Sequence, residues 1–284
     1  MIIGVIGAGR VGAVLAAALR SAGHEVVAAT RKSPLLPETP SLPAAEVARA
    51  ATDLLLIAVP DDALAGVVSR LAAARAFRPG QIVAHTSGAH GLDVLLAATA
   101  LGARPLALHP AMTFTGATAD LAHLPGISYG VTAPDDLREQ AARIVDDLGG
   151  RLEWIAESSR VMYHTSLAHG ANHLVTLVNE AADRLRDAGV VQPEKVLRPL
   201  LEAALDNALR MGDNALTGPV SRGDAGTVAR HVEALRDTPS LPPYLALARR
   251  TADRAIASGR LRATDAEALL DVLASLHNAV GTGR

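Results

Sequence analysis

Three glycines near the start of the chain offer the plainest chemistry. Gly7, Gly9 and Gly12 spell G-x-G-x-x-G directly after the apolar run Met1–Ile6 and directly before an Ala/Leu-rich stretch reaching Ala22. Set between a strand and a helix, this string is a dinucleotide-binding fingerprint. Gly7 permits the tight turn, Gly9 lets the backbone approach a pyrophosphate, and Gly12 lets helix and strand pack closely. Gly7, Ala8, Gly9, Arg10, Val11 and Gly12 would then turn the free N–H groups of a helix start toward the anion. The competing reading is a glycine-rich turn with no ligand.

The end of the next strand selects the cofactor. An acid there would bind the ribose 2′-hydroxyl of NAD, yet the sequence reads Ala29-Thr30-Arg31-Lys32-Ser33. Thr30, Arg31 and Lys32 suit a 2′-phosphate, with the planar fork of Arg31 as its main partner. NADP(H) is favoured, against a solvated basic loop. Ligands of open α/β sheets sit at the carboxyl ends of strands. Val59-Pro60, Ser87-Gly88 and His109-Pro110 all end strands, so they are expected at the same edge.

The elements that must position these residues follow a simple order. Apolar runs at Met1–Ile6, Glu25–Ala29, Asp53–Val59, Gln81–His85, Arg104–Leu108, Ile127–Thr132 and Arg151–Ile155 read as strands. Helical stretches separate most of them, among them Ala63–Ala74, Gly91–Ala100 and Pro134–Leu148. Strands apolar throughout, alternating with helices, predict a parallel sheet covered on both faces. From Ser158 to about Asp187 one long helix is expected. Helices at Pro193–Met211, Ala225–Leu235, Pro243–Ser258 and Ala263–Leu276 follow, without strand signals. The expected organisation is a doubly wound, Rossmann-like α/β domain over 1–155 and an all-helical domain over 156–284.

Composition narrows the function classes. Of 284 residues, 49% are hydrophobic and 20% charged, which excludes disorder from lack of apolar burial. A formal net charge of -2 supplies no general pull toward nucleic acid or anionic membranes. The absence of cysteine excludes disulfides, thiolate metal sites and thiol nucleophiles. The first apolar run lacks a basic segment before it and is interrupted by Arg10, so it reads as strand and helix rather than a secretory signal. A soluble, cytoplasmic protein is expected.

Taken together, GVIGAGRVG, AVPDD, HTSG, LHPAMTF, YHTSLAHGANH and LTGPVSRGD resemble one family over essentially the whole chain. It is the Rossmann-like oxidoreductase family whose C-terminal helical domain has no assigned function. That family is similar to ketopantoate reductases, β-hydroxyacid dehydrogenases and pyrroline-5-carboxylate reductases, which share a helical domain of the 6-phosphogluconate dehydrogenase type. The resemblance implies a nicotinamide-dependent reductase, homodimeric through the helical domain, with 2-dehydropantoate as its most concrete substrate. Ketopantoate reductases and β-hydroxyacid dehydrogenases use a lysine on the long helix as proton donor. This chain has only Lys32 and Lys195, neither on that helix.

Another group must therefore donate the proton if a ketone is reduced. The long helix carries Tyr163, His164, His169, Asn172 and His173. At about 100° per residue, His164, Ala168 and Asn172 fall on one inclined face. His164 is the expected proton donor and Asn172 a substrate-orienting hydrogen-bonder, unless both only satisfy helix contacts. Histidine's ordinary pKa of about 6.5 suits such work. Ser87 and His109 join the catalytic set, although His109 could equally fix the turn before Pro110. Arg222 is a candidate clamp for a substrate carboxylate beside Asp224, which could also cap the next helix. A small acidic substrate follows from that clamp. Two rivals remain, an imine reductase and a non-catalytic sensor of cofactor redox state. His169 and His173 resemble half of a zinc site, but no third ligand stands at a recognisable spacing, and no metal is expected.

Overall fold

The computed structural model describes residues 1–275. The chain divides into two compact units, Met1–His173 and Leu174–Arg284. The first unit is built on seven strands: β1 (Ile2–Ile6), β2 (Glu25–Ala29), β3 (Leu54–Ile57), β4 (Ile82–His85), β5 (Arg104–Pro110), β6 (Ser128–Thr132) and β7 (Arg151–Trp154). They lie in the order β2-β1-β3-β4-β5-β6-β7. The helices between them are α1 (Arg10–Ser21), α2 (Ala44–Ala50), α3 (Asp61–Ala73), α4 (Leu96–Thr99), α5 (Ala119–His123) and α6 (Arg138–Asp147).

The apolar runs form central strands because alternate side chains are buried on opposite faces. Ile3, Val5, Leu54, Leu56, Ile82 and Ala84 pack into one cluster with α1. Ile6, Leu55, Ile57 and Val83 pack into another with α2 and α3. The order reverses about β1, since β2 lies on one side of it and β3 on the other. That switch point is where doubly wound sheets open a crevice for ligands.

The expected all-parallel sheet needs one correction. β1 to β5 are parallel, but β6 runs antiparallel to β5, and β7 follows β6. A parallel return needs a crossover across the sheet face. Here Pro110 pairs with Tyr129, and the Ala111 N–H donates to the Ser128 carbonyl at 2.9 Å. β6 therefore starts beside the end of β5.

The expected long helix is present, but it is not α throughout. It consists of α7 (Arg160–Leu167), a wide π turn over Ala168–Asn172, and α8 (His173–Asp187). An i→i+5 turn rotates everything after it relative to an α-helix. Ala168 keeps its place one turn after His164, since its N–H reaches the His164 carbonyl, while Asn172 ends the π turn and is exposed. The start of this helix packs into the first unit through Arg160, which is 1% exposed. The first unit consequently extends past the 155/156 boundary expected from the change of element type.

The second unit continues α8 and adds α9 (Pro193–Met211), α10 (Gly218–Ser221), α11 (Ala225–Leu235), α12 (Leu241–Ala257) and α13 (Ala263–Ser275). Leu276, the last residue of the expected final helix, lies outside the described residues. Val228, Val232, Ala252, Ala255, Leu269 and Leu273 anchor its core. Among the described residues, no helix is long and apolar enough to cross a membrane.

Candidate functional site

At the carboxyl end of β1, each glycine of the fingerprint has a distinct reason. Gly7 has φ +87, and an added Cβ would strike the Ala58 carbonyl. At Gly12 it would strike the Gly7 carbonyl and come within 2.9 Å of the Ala58 methyl. Both positions are closed by the fold. Gly9 differs, because its Cβ would meet only the Gly7 oxygen, at 3.9 Å. The space beside it is open. Gly9 is also the N-cap of α1, with no side-chain cap and no acid in the first turn. A bare helix start next to open space suits a phosphate group.

Thr30 reaches the same turn, where its hydroxyl accepts a hydrogen bond from the Gly7 N–H at 2.9 Å. It thus braces the cradle instead of standing free for a 2′-phosphate. Arg31 and Lys32 are exposed and stand just beyond β2. Val59 and Pro60 lead from β3 into α3. The loop directly after LHPAMTF, which the motifs did not include, also belongs here. Gly116 packs against Arg10, and buried Asp120 holds that loop by accepting from the Thr115 and Gly116 N–H groups at 2.9 and 2.7 Å. Burial pushes the Asp120 carboxyl up, but these bonds and that from the Thr115 hydroxyl carry it below the usual carboxylate range.

Further along the same edge, β5 and α7 bring three rings together beside the turn after β4. The Tyr163 hydroxyl lies 3.0 Å from His109 Nδ1. The His109 and His164 rings meet edge to face, with centroids 5.9 Å apart. Gly88 fits between the histidines: an added Cβ would lie 2.5 Å from His164 Cδ2 and 3.0 Å from His109 Nε2. Gly130 on β6 likewise leaves room for the Tyr163 ring. His109 is pushed down to about 4, first by burial and then by the positive charge of Arg160. His85 is also lowered to about 4 by burial, against its hydrogen bond to the Gly91 carbonyl at 2.8 Å. Both are neutral at pH 7. Burial raises the Tyr163 phenol, while nearby Arg160 opposes that rise.

His109 and His164 are therefore brought together as expected, whereas Ser87 and Asn172 do not join them. The Ser87 hydroxyl closes its own turn, accepting from the His90 N–H at 3.1 Å and lying 3.0 Å from His90 Nδ1. The local hydrogen bond wins because a serine two or three residues before a free N–H readily forms such a turn. Asn172 stands on the π turn, and its side chain has no hydrogen bond among the described residues.

Sequence reasoning passed over Arg160 and Glu157. Glu157 accepts from the Leu92 N–H at 2.9 Å, tying the start of α7 to the turn after β4. Arg160 donates to the carbonyls of Ser87, His90 and Gly130. Their only signal was an arginine about one helical turn before Tyr163 and His164.

In the second unit, Asp224 caps α11 by accepting from the Thr227 N–H at 3.0 Å. Arg222 lines a cavity of about 480 Å³ with Leu216, Thr217, Ser221 and Arg260. The Asp224 carboxylate is close enough for the charge of Arg222 to act on it, while Asp213 pairs with Arg254 and Asp265 with Arg262. Arg222 and Arg260 make no ion pair among the described residues. His169 Nδ1 and His173 Nδ1 lie 3.2 Å apart, but no group of three or more metal-ligating side chains occurs among the described residues.

Two family models match the chain. A Rossmann-like domain matches residues 1–110, and a domain of unknown function, DUF2520, matches residues 127–251. No curated protein matches. Among solved structures, a Bacteroides fragilis protein named as an NADP oxidoreductase is 22% identical, with TM-score 0.75, covering 89% of this chain and 98% of its own. Pyrroline carboxylate reductase of Plasmodium falciparum with NADP bound is 12% identical, with TM-score 0.60, covering 94% and 98%. The reductive aminase of Aspergillus terreus is 20% identical, with TM-score 0.60, covering 91% and 94%. The fold is thus shared with these proteins, and the chain resembles a Rossmann-like domain over its first part and a DUF2520 domain over its second.

Proposed function

We propose that the chain is an NADP(H)-dependent oxidoreductase reducing the carbonyl of a small carboxylated ketone, with 2-dehydropantoate as the first substrate to test. The observation that carries this reading is Gly9, a glycine for which the protein's own packing gives no reason. Gly7 to Gly12 would hold the pyrophosphate and Arg31, with Lys32, the 2′-phosphate. The same fold is found in proteins whose names include NADP.

When bound, the nicotinamide supplies a hydride to an electron-poor carbon. The residues of this chain then manage the oxygen. With Tyr163 donating to His109 Nδ1, the neutral imidazole would carry its proton on Nε2, beside Gly88. That N–H polarises the carbonyl without giving up its proton. His164 delivers the proton that turns the developing alkoxide into a hydroxyl. In the helical unit, Arg222 and Arg260 line one cavity whose positive charge favours an anion. Asp224 keeps its capping role. Exposed Val196, Leu200, Leu205 and Leu209 on α9 favour a homodimer.

The C=N alternative rests on a specific feature, the lack of any lysine on the long helix. A protonated imine arrives already charged and needs no such donor. NADPH oxidation followed with 2-dehydropantoate, other 2-oxo acids and cyclic imines separates the readings. Turnover of an oxo acid, lost in His164→Ala, supports the carbonyl reductase. Turnover of imines alone moves the assignment to C=N, and tight NADPH binding with no turnover moves it to a redox-sensing module.

A further inference from the structure

Arg160 is among the largest fully buried side chains, at 1% exposure. Its guanidinium spends its donors on neutral carbonyl oxygens: Nη2 to Ser87 at 2.6 Å, Nε to His90 at 3.0 Å and Nη1 to Gly130 at 3.0 Å. It makes no ion pair among the described residues. A buried cation without a carboxylate partner is costly, and an apolar side chain would often fill such a place with equal or better stability. Its presence therefore calls for a use.

The geometry of one peptide suggests that use. The peptide between Ser87 and Gly88 is planar and trans, so its N–H points opposite to its carbonyl. Arg160 holds the carbonyl. The Gly88 N–H is consequently turned away from Arg160, and it has no hydrogen-bond partner among the described residues although Gly88 is buried. Buried backbone N–H groups without partners are rare. This one belongs to the residue packed against His109 Nε2 and His164 Cδ2. We propose that Arg160 is a positioning residue that aims the Gly88 N–H as a fixed donor, so that Gly88 and His109 together form an oxyanion hole. The positive charge behind the peptide strengthens that donor without touching the substrate.

The hole rests on the proposed reductase reading for its use, but not for its existence. Arg160→Lys keeps the charge and loses the fork, while Arg160→Gln keeps some donors and loses the charge. The Gly88 amide resonance is followed by NMR, and NADPH binding by fluorescence. Both variants are expected to bind NADPH within about twofold of the wild type. Removing one oxyanion donor costs about 10²–10³ in kcat, so kcat should fall about a hundredfold in Arg160→Gln with little change in KM, and less in Arg160→Lys. The Gly88 amide should shift in both. An unmoved Gly88 resonance and wild-type kcat in Arg160→Lys, the milder change, would overturn the proposal. Absence of NADPH binding by the wild type would instead sink the reductase reading, leaving the amide measurement to decide the role of Arg160. If Arg160→Gln does not fold, Arg160→Lys alone carries the test.

Discussion

The hydroxyl of Tyr163 and Nδ1 of His109 lie 3.0 Å apart, joining α7 to the end of β5. This contact fixes which ring nitrogen of His109 is free to face a ligand. Removing it with Tyr163→Phe leaves the ring packing against Gly130 in place but frees the imidazole to take either tautomer. A loss of about tenfold to a hundredfold in kcat is expected, with NADPH affinity unchanged. Steady-state kinetics and a cofactor titration on one preparation check both.

His109 and His85 predict the response to acid. Each has a folded pKa of about 4, against an ordinary value near 6.5. Both are held neutral by burial, and Arg160 and His164 add to the effect at His109, while Asp61 opposes it. The unfolded chain therefore binds more protons between these values. Stability from both groups is fully present above about pH 6.5 and is lost as pH falls toward 4, at roughly 3 kcal/mol for each histidine. Urea unfolding at pH 7.5 and pH 5 should show the loss, and His109→Asn should flatten its pH dependence.

Arg31 is exposed at the end of β2 and has no acid beside it in the Ala29–Ser33 segment. A charge-assisted pair with a phosphate contributes about 1.5–3 kcal/mol. Arg31→Ala should therefore weaken NADPH about tenfold to a hundredfold and leave NADH nearly unchanged. Parallel fluorescence titrations with the two coenzymes measure the difference directly.

Much of this is legible in the amino-acid sequence. Leu54–Ile57 reads as a strand because four consecutive apolar residues need cover on both faces, and they have it. The glycine turn reads because its spacing answers to backbone geometry. His109 and His164 were both marked by residue type and by their places at a strand end and on a helix. Strand direction left no such trace, so the reversal at β6 was missed. The π turn over Ala168–Asn172 left no trace either, because it consists of residues that an α-helix would also accept. Arg160 escaped notice because arginine is almost always exposed, and its burial depends on carbonyls far away in sequence. The local partner of Ser87, the His90 N–H, was not legible because it depends on the shape of the turn.

Gly9→Ala tests the cofactor cradle most directly, since an added methyl group meets no protein atom nearer than 3.9 Å. Its melting temperature should stay within about 2 °C of the wild type, because a Cβ in open space perturbs stability little. Its NADPH affinity should fall at least about tenfold, whereas Gly12→Ala should destabilise the fold itself. A Gly9→Ala protein that binds NADPH as tightly as the wild type would contradict the assignment of this turn to the pyrophosphate.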